Sequence, residues 1–118
     1  MIFHITTRTD WDSAQAKGEY IVDSLQSEGF IHCSTLAQVL PVAEKYYAGQ
    51  SGLILLMIEP TLLSSDLKWE DPSGGAPPPG VPEGDLFPHV YGPINLDAVV
   101  DVLDFIRDAS GNWTMPSV

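Results

Sequence analysis

Short apolar stretches alternate with polar punctuation along the chain, and the hydrophobic period changes several times. Residues 2–6 alternate around His4 and read as a strand, with Ile2, His4 and Thr6 on one face and Phe3 and Ile5 on the other. Thr9 or Asp10 is placed to cap a short helix over residues 11–17, and Gly18 to supply its left-handed exit. Residues 20–22 read as a short extended piece, and residues 24–29 as one helical turn stopped by Gly29. Residues 30–33 follow as a strand. Ile31 and Cys33 share one face; Phe30, His32 and Ser34 share the other. The second face is the polar one, so Ile31 and Cys33 are expected to point into the core.

Ser34 or Thr35 then caps a helix reaching about Tyr47, in which Pro41 predicts a kink or a fresh start. Residues 53–58 form a continuous apolar run between Gly52 and Pro60, the pattern of a central strand buried on both faces. Residues 67–70 read as a short strand. Residues 71–86, rich in proline and glycine, read as an exposed loop, and order resumes by His89. Residues 99–106 are long enough for a helix, but their β-branched content favours a strand. The expected architecture is α+β, with two or three short helices, in a single domain over residues 1–118.

Composition removes several function classes. Sixteen acidic residues against five basic ones leave a net charge of -11. The cations Arg8, Lys17, Lys45, Lys68 and Arg107 fall singly, whereas a nucleic-acid backbone or an anionic membrane demands a cluster. The expected partner is a small molecule, with no nucleic acid and no membrane. Cys33 is the only cysteine, so no intrachain disulfide forms, which fits a reducing compartment. The N-terminal apolar stretch is too short for a signal peptide, and no apolar run approaches membrane-spanning length. A cytoplasmic protein is expected.

The chemistry-bearing residues gather in three motifs. His4, His32 and His89 each lie in or beside a predicted strand. Buried histidines are ordinarily hydrogen-bonded structural groups; near neutral pH they also serve as acid, base or ligand. Strand alternation turns His32 away from Cys33, which leaves Cys33 as a buried thiol rather than a nucleophile. His4 and Thr6 would join His32 and Ser34 if their strands are neighbours. Ser34 opens a helix whose free N–H groups can hold an anion, with Arg8 as an aid. In Phe87-Pro88-His89-Val90-Tyr91-Gly92-Pro93, His89 and Tyr91 share a face, and Gly92 permits a turn or a close ligand approach. Tyr91 can stack on a base or donate a hydrogen bond. Glu70 can act as a base or orient an imidazole. Three histidines and Glu70 are metal-ligand types, but no local ligand spacing is present and no metal is expected. The candidate catalytic residues are His32, His89 and Glu70; the candidate ligand-binding residues are His4, Thr6, Arg8, Ser34 and Tyr91. No cofactor is specified.

Phe3-His4-Ile5-Thr6, Gly29-Phe30-Ile31-His32-Cys33-Ser34 and Phe87-Pro88-His89-Val90-Tyr91-Gly92-Pro93-Ile94, in that order, resemble the domain-of-unknown-function family 952. The resemblance covers about residues 2–105. It implies a fold like that of the ADP-ribosyltransferases, a split, mixed β-sheet pair with a cleft between the halves. It also implies that His4 corresponds to the ribose-binding histidine of the diphtheria-toxin-like branch, and that His32 stands where that branch has a stacking tyrosine. That branch carries its catalytic glutamate on a late strand, where this chain has His89 and Tyr91; Glu70 is the nearby carboxylate. Arg8 would serve the role that arginines play in the RNA phosphotransferases of the same superfold. Two readings follow: a cleft that binds or processes a nucleotide or phosphate ester such as NAD, or a non-catalytic module that holds a small molecule or a protein partner.

Overall fold

A computed structural model describes residues 1–72 and 75–116. Two three-stranded sheets dominate it. The first has the order β1 (Ile2–Thr7), β4 (Leu53–Ile58), β8 (Val99–Phe105); the second has β3 (Ile31–His32), β6 (Phe87–Tyr91), β5 (Asp66–Glu70). A two-residue pair, β2 (Glu19–Tyr20) with β7 (Ile94–Asn95), completes the strands. Every pairing between these strands is antiparallel, which corrects the expectation of mixed sheets. The two large sheets are stitched together by one bridge, in which Phe3 and Ser34 exchange both backbone hydrogen bonds at 2.8 Å.

The continuous apolar run of β4 has its explanation in two separate cores. Ile54, Leu56 and Ile58 point into one, and Leu53 and Leu55 into the other. The first core joins the sheets face to face. Ile2, Ile54 and Leu56 from one meet Ile31, Cys33 and Val90 from the other, so Ile31 and Cys33 do point inward. Trp11 and Ala14 of α1 (Arg8–Lys17) close its edge. The second core lies on the opposite face of the first sheet, under Val39 and Ala43 of α3 (Val39–Tyr46) and beside Phe105 and Trp113.

Local signals were displaced in two places. Thr7, not Thr9 or Asp10, caps α1: its Oγ1 accepts from the Asp10 N–H at 3.1 Å. The helix expected from residue 34 or 35 begins instead as a 3-10 turn, Leu36–Gln38, and becomes α-helical at Val39. Pro41 then sits in the first turn of α3, where a backbone N–H has no helical partner to lose. Residues 99–105 are a strand because β4 offers them a full antiparallel edge, with an irregularity only at Met57/Ile58. The short turn before β3 is α2 (Asp23–Ser27).

Most of the described part of 71–86 is exposed, but Pro78 and Val81 are buried and the segment is anchored at its end by Gln38 Nε2 donating to the Leu86 carbonyl at 2.9 Å. Gly92 has φ 154, and a Cβ there would collide with Ser65 Oγ, so the close approach it permits is to the protein itself. Among the described residues no helix is long and apolar enough to cross a membrane.

Candidate functional site

The second sheet has one face committed to the core and one that is not. On the uncommitted face the ladder register sets His32 of β3 directly opposite His89 of β6, and His89 opposite Lys68 of β5. The His32 and His89 rings meet edge to face, with centroids 5.5 Å apart. Phe30 stacks on His89 at 4.1 Å and touches both His32 and Tyr91.

Each imidazole is held by a carboxylate. Glu70 Oε1 lies 2.9 Å from His89 Nδ1 and also accepts from the Tyr91 hydroxyl at 2.5 Å. Nδ1 must donate to that carboxylate, so His89 Nε2 is left with no hydrogen-bond partner among the described residues. The Tyr91 bond, and then the His89 bond, hold the Glu70 carboxyl below its ordinary range; the same Tyr91 bond raises the phenol. For His32 on the facing strand, Glu28 Oε2 at the end of α2 lies 2.7 Å from Nε2, leaving Nδ1 of that ring. The two pairs differ in exposure: the His89 side chain is 3% exposed, the His32 side chain 42%. Lys68 Nζ sits 4.6 Å above the Tyr91 ring, so the ammonium is spent on an aromatic face beside the pair.

Both histidines line a cavity of about 430 Å³ where the two sheets diverge beside the Phe3–Ser34 bridge. Cys33 and Ser34 line it, Phe87, Tyr46 and Tyr47 give it aromatic walls, and Pro72 and Pro78 also border it. No Lys or Arg is among its lining residues. Burial pushes the Cys33 thiol far up, so this thiol stays protonated and is not a nucleophile. Among the described residues no group of three or more His, Cys, Asp and Glu side chains could hold a metal ion.

The three histidines do not share one cleft. His4 lies behind the pair and lines an adjoining groove with Thr6 and Tyr20; His32 borders both hollows. His4 Nδ1 donates to the His32 backbone carbonyl, and Nε2 lies 2.7 Å from Tyr20 Oη. Burial pulls His4 down to about 4, against the carbonyl bond, which raises it. The ring is therefore neutral near pH 7, and with its proton on Nδ1 the other nitrogen must accept from the Tyr20 hydroxyl. Thr6 Oγ1, 2.8 Å from Tyr20 Oη, then supplies the remaining proton to the phenol oxygen. Both His4 nitrogens are thus used within the protein, which removes His4 and Thr6 from direct ligand contact. Arg8 is also displaced: it opens α1 and pairs with Asp104 of β8 at 2.9 Å, where it borders a different hollow. The helix start after Ser34 offers less than expected, because the Thr35 N–H is taken by Gln38 Oε1 at 3.0 Å. Of the eight candidates, the fold brings together His32, His89, Glu70, Tyr91 and Ser34.

Glu28 and Tyr20 were not singled out by the sequence. Glu28 precedes His32 by four residues, but Gly29 between them has φ 89 and reverses the chain, so no helical or strand spacing predicts the contact. Tyr20 is wholly buried on a two-residue strand too short to show any period.

These features define a small antiparallel α+β protein with a paired-histidine cleft. The family model for "Protein of unknown function (DUF952)" matches residues 5–102, and the chain belongs to that family. The crystal structure of protein CC0527 from Caulobacter crescentus is similar, with 35% identity, a TM-score of 0.78, and coverage of 96% of this chain and 92% of that one. A crystal structure of a double mutant of CC0527 aligns with 34% identity and the same TM-score of 0.78. The solution structure of CC0527 aligns with 37% identity, a TM-score of 0.74, and coverage of 94% and 89%. No curated protein matches the chain.

Proposed function

We propose that the cleft binds a small nucleotide or a related phosphate ester, contacted by His32 and His89. The observation that carries this reading is the cross-strand pair itself: two carboxylate-held imidazoles at one register position, at the edge of a cavity with aromatic walls. Imidazoles bind or relay protons to phosphate oxygens near neutral pH, and Phe87, Tyr46 and Tyr47 offer faces for a base. The likeness of the motifs to the ADP-ribosyltransferases supports NAD and ADP-ribose as the first ligands to try. It assigns ribose to His4, whose nitrogens are occupied, so the ligand contact moves to His32 and its partner strand. A single buried cysteine supports placing this binding in the cytoplasm.

The test is titration calorimetry of the full chain with NAD, ADP-ribose and mononucleotides, using wild type and His32→Ala. Heat from at least one ligand with wild type, lost in the variant, is the expected result. Absence of heat with all of them would sink the reading and leave a module for a different partner.

A further inference from the structure

We propose that His32 and His89 are the acid–base pair of a hydrolase acting on a small, singly charged phosphodiester. This rests on the ligand class given above and adds a reaction to it. Three observations lead there. First, the two rings meet edge to face, 5.5 Å between centroids, and each uses one nitrogen on a carboxylate, which leaves His32 Nδ1 and His89 Nε2 as the exchangeable pair. Displacement at phosphorus needs a base on the attacking oxygen and an acid on the leaving oxygen, and the two rings put both functions beside one cavity. Second, the carboxylates have separate owners. Glu28 lies against His32 and Glu70 against His89, so each ring is oriented by a carboxylate of its own.

Third, charge restricts the substrate. The chain carries a net charge of -11, and the cavity lining contains no Lys or Arg. A triphosphate or a polynucleotide would bring several negative charges to a lining that has no Lys or Arg. A diester brings one. The cavity of about 430 Å³ fits a ligand of nucleotide size, which suits a cyclic or short diester.

The step balances without a further reactant. One histidine, neutral, takes a proton from water as the water oxygen bonds to phosphorus. The phosphorus–alkoxide bond breaks, and the other histidine, protonated, gives its proton to the departing oxygen. The products are an alcohol and a phosphate monoester. A proton exchange with solvent restores both rings. The monoester carries more negative charge than the diester, so the acidic cleft expels it.

The experiment uses the full chain with 2′,3′-cyclic and 3′,5′-cyclic nucleotides and bis(p-nitrophenyl) phosphate, in water enriched in heavy oxygen. Turnover of at least one substrate, with the label in the phosphate product, is expected. His32→Asn and His89→Asn should each lower kcat by roughly 10²–10⁴-fold. The p-nitrophenyl leaving group needs no acid, so it should rescue one of the two variants and not the other. Rescue of both, or of neither, overturns the paired roles. Because His89 is buried, the half-exposed His32→Asn, checked for an unchanged melting curve, carries the result should His89→Asn unfold. Calorimetric binding of a nucleotide with no turnover of any diester overturns the hydrolase and leaves the binding reading intact; no binding at all overturns both.

Discussion

His32 and His89 occupy the same rung of the β3–β6 ladder, and neither is placed there by its own strand. The rung exists because Ile31 and Val90, the neighbouring rung, are fully buried on the opposite face and lock the register. A slip of one residue would turn an apolar side chain of this rung out of the core and an imidazole into it, so the hydrophobic core holds the polar pair in place.

His32→Ala should therefore test the site without testing the fold. The His32 side chain is 42% exposed, and its removal should change stability by no more than about 1 kcal/mol. Ligand affinity should fall at least about tenfold, or roughly 1.4 kcal/mol. Parallel denaturation and calorimetry check this; a variant that melts far below wild type would show that the residue serves the fold.

Glu70→Gln should release Tyr91. The raised phenol owes its shift first to the Glu70 hydrogen bond, then to burial and the carboxylate charge. With the charge removed, Tyr91 should titrate at lower pH, followed by ultraviolet absorbance against a Tyr91→Phe control. An unchanged Tyr91 titration would mean the 2.5 Å contact does not persist in solution.

His4 should make the protein sensitive to mild acid. Its folded value is about 4, against 6.5 for the hydrated ring of an unfolded chain. Between those values the unfolded state binds more protons, so stability rises with pH across this window. The contribution of neutral His4 is complete above about pH 6.5 and is lost as the pH falls through about 4. Its full size is roughly 3 kcal/mol. Melting curves from pH 7 to 4 should show this loss, and His4→Gln should flatten the slope even though it starts less stable. An equal slope in both proteins would contradict the burial of a neutral ring.

Gly92→Ala should destabilise the fold by roughly 1–3 kcal/mol, since the backbone conformation excludes a side chain and Ser65 fills the space a Cβ would need. Ser65→Gly in the same background should recover only the steric part, because φ 154 remains unfavourable for alanine. Denaturant midpoints of the two variants separate these contributions.

Much of this architecture was legible in local pattern. Alternation alone put Ile31 and Cys33 in the core, set His89 with Tyr91 on one face, and marked residues 53–58 as a strand buried twice. Those are properties of one strand, dictated by the two-residue period of extended backbone. Which strands meet, and at which rung, is a long-range choice made by packing. Only the tertiary structure paired His32 with His89, drew Glu28 back across the turn at Gly29, and sent Arg8 to Asp104 of β8. It also decided the fate of His4, whose strand and face were clear from sequence but whose two nitrogens are claimed by a carbonyl 28 residues away and a tyrosine 16 residues away. A buried polar group must find its partners wherever the fold provides them, and no spacing along the chain records that requirement.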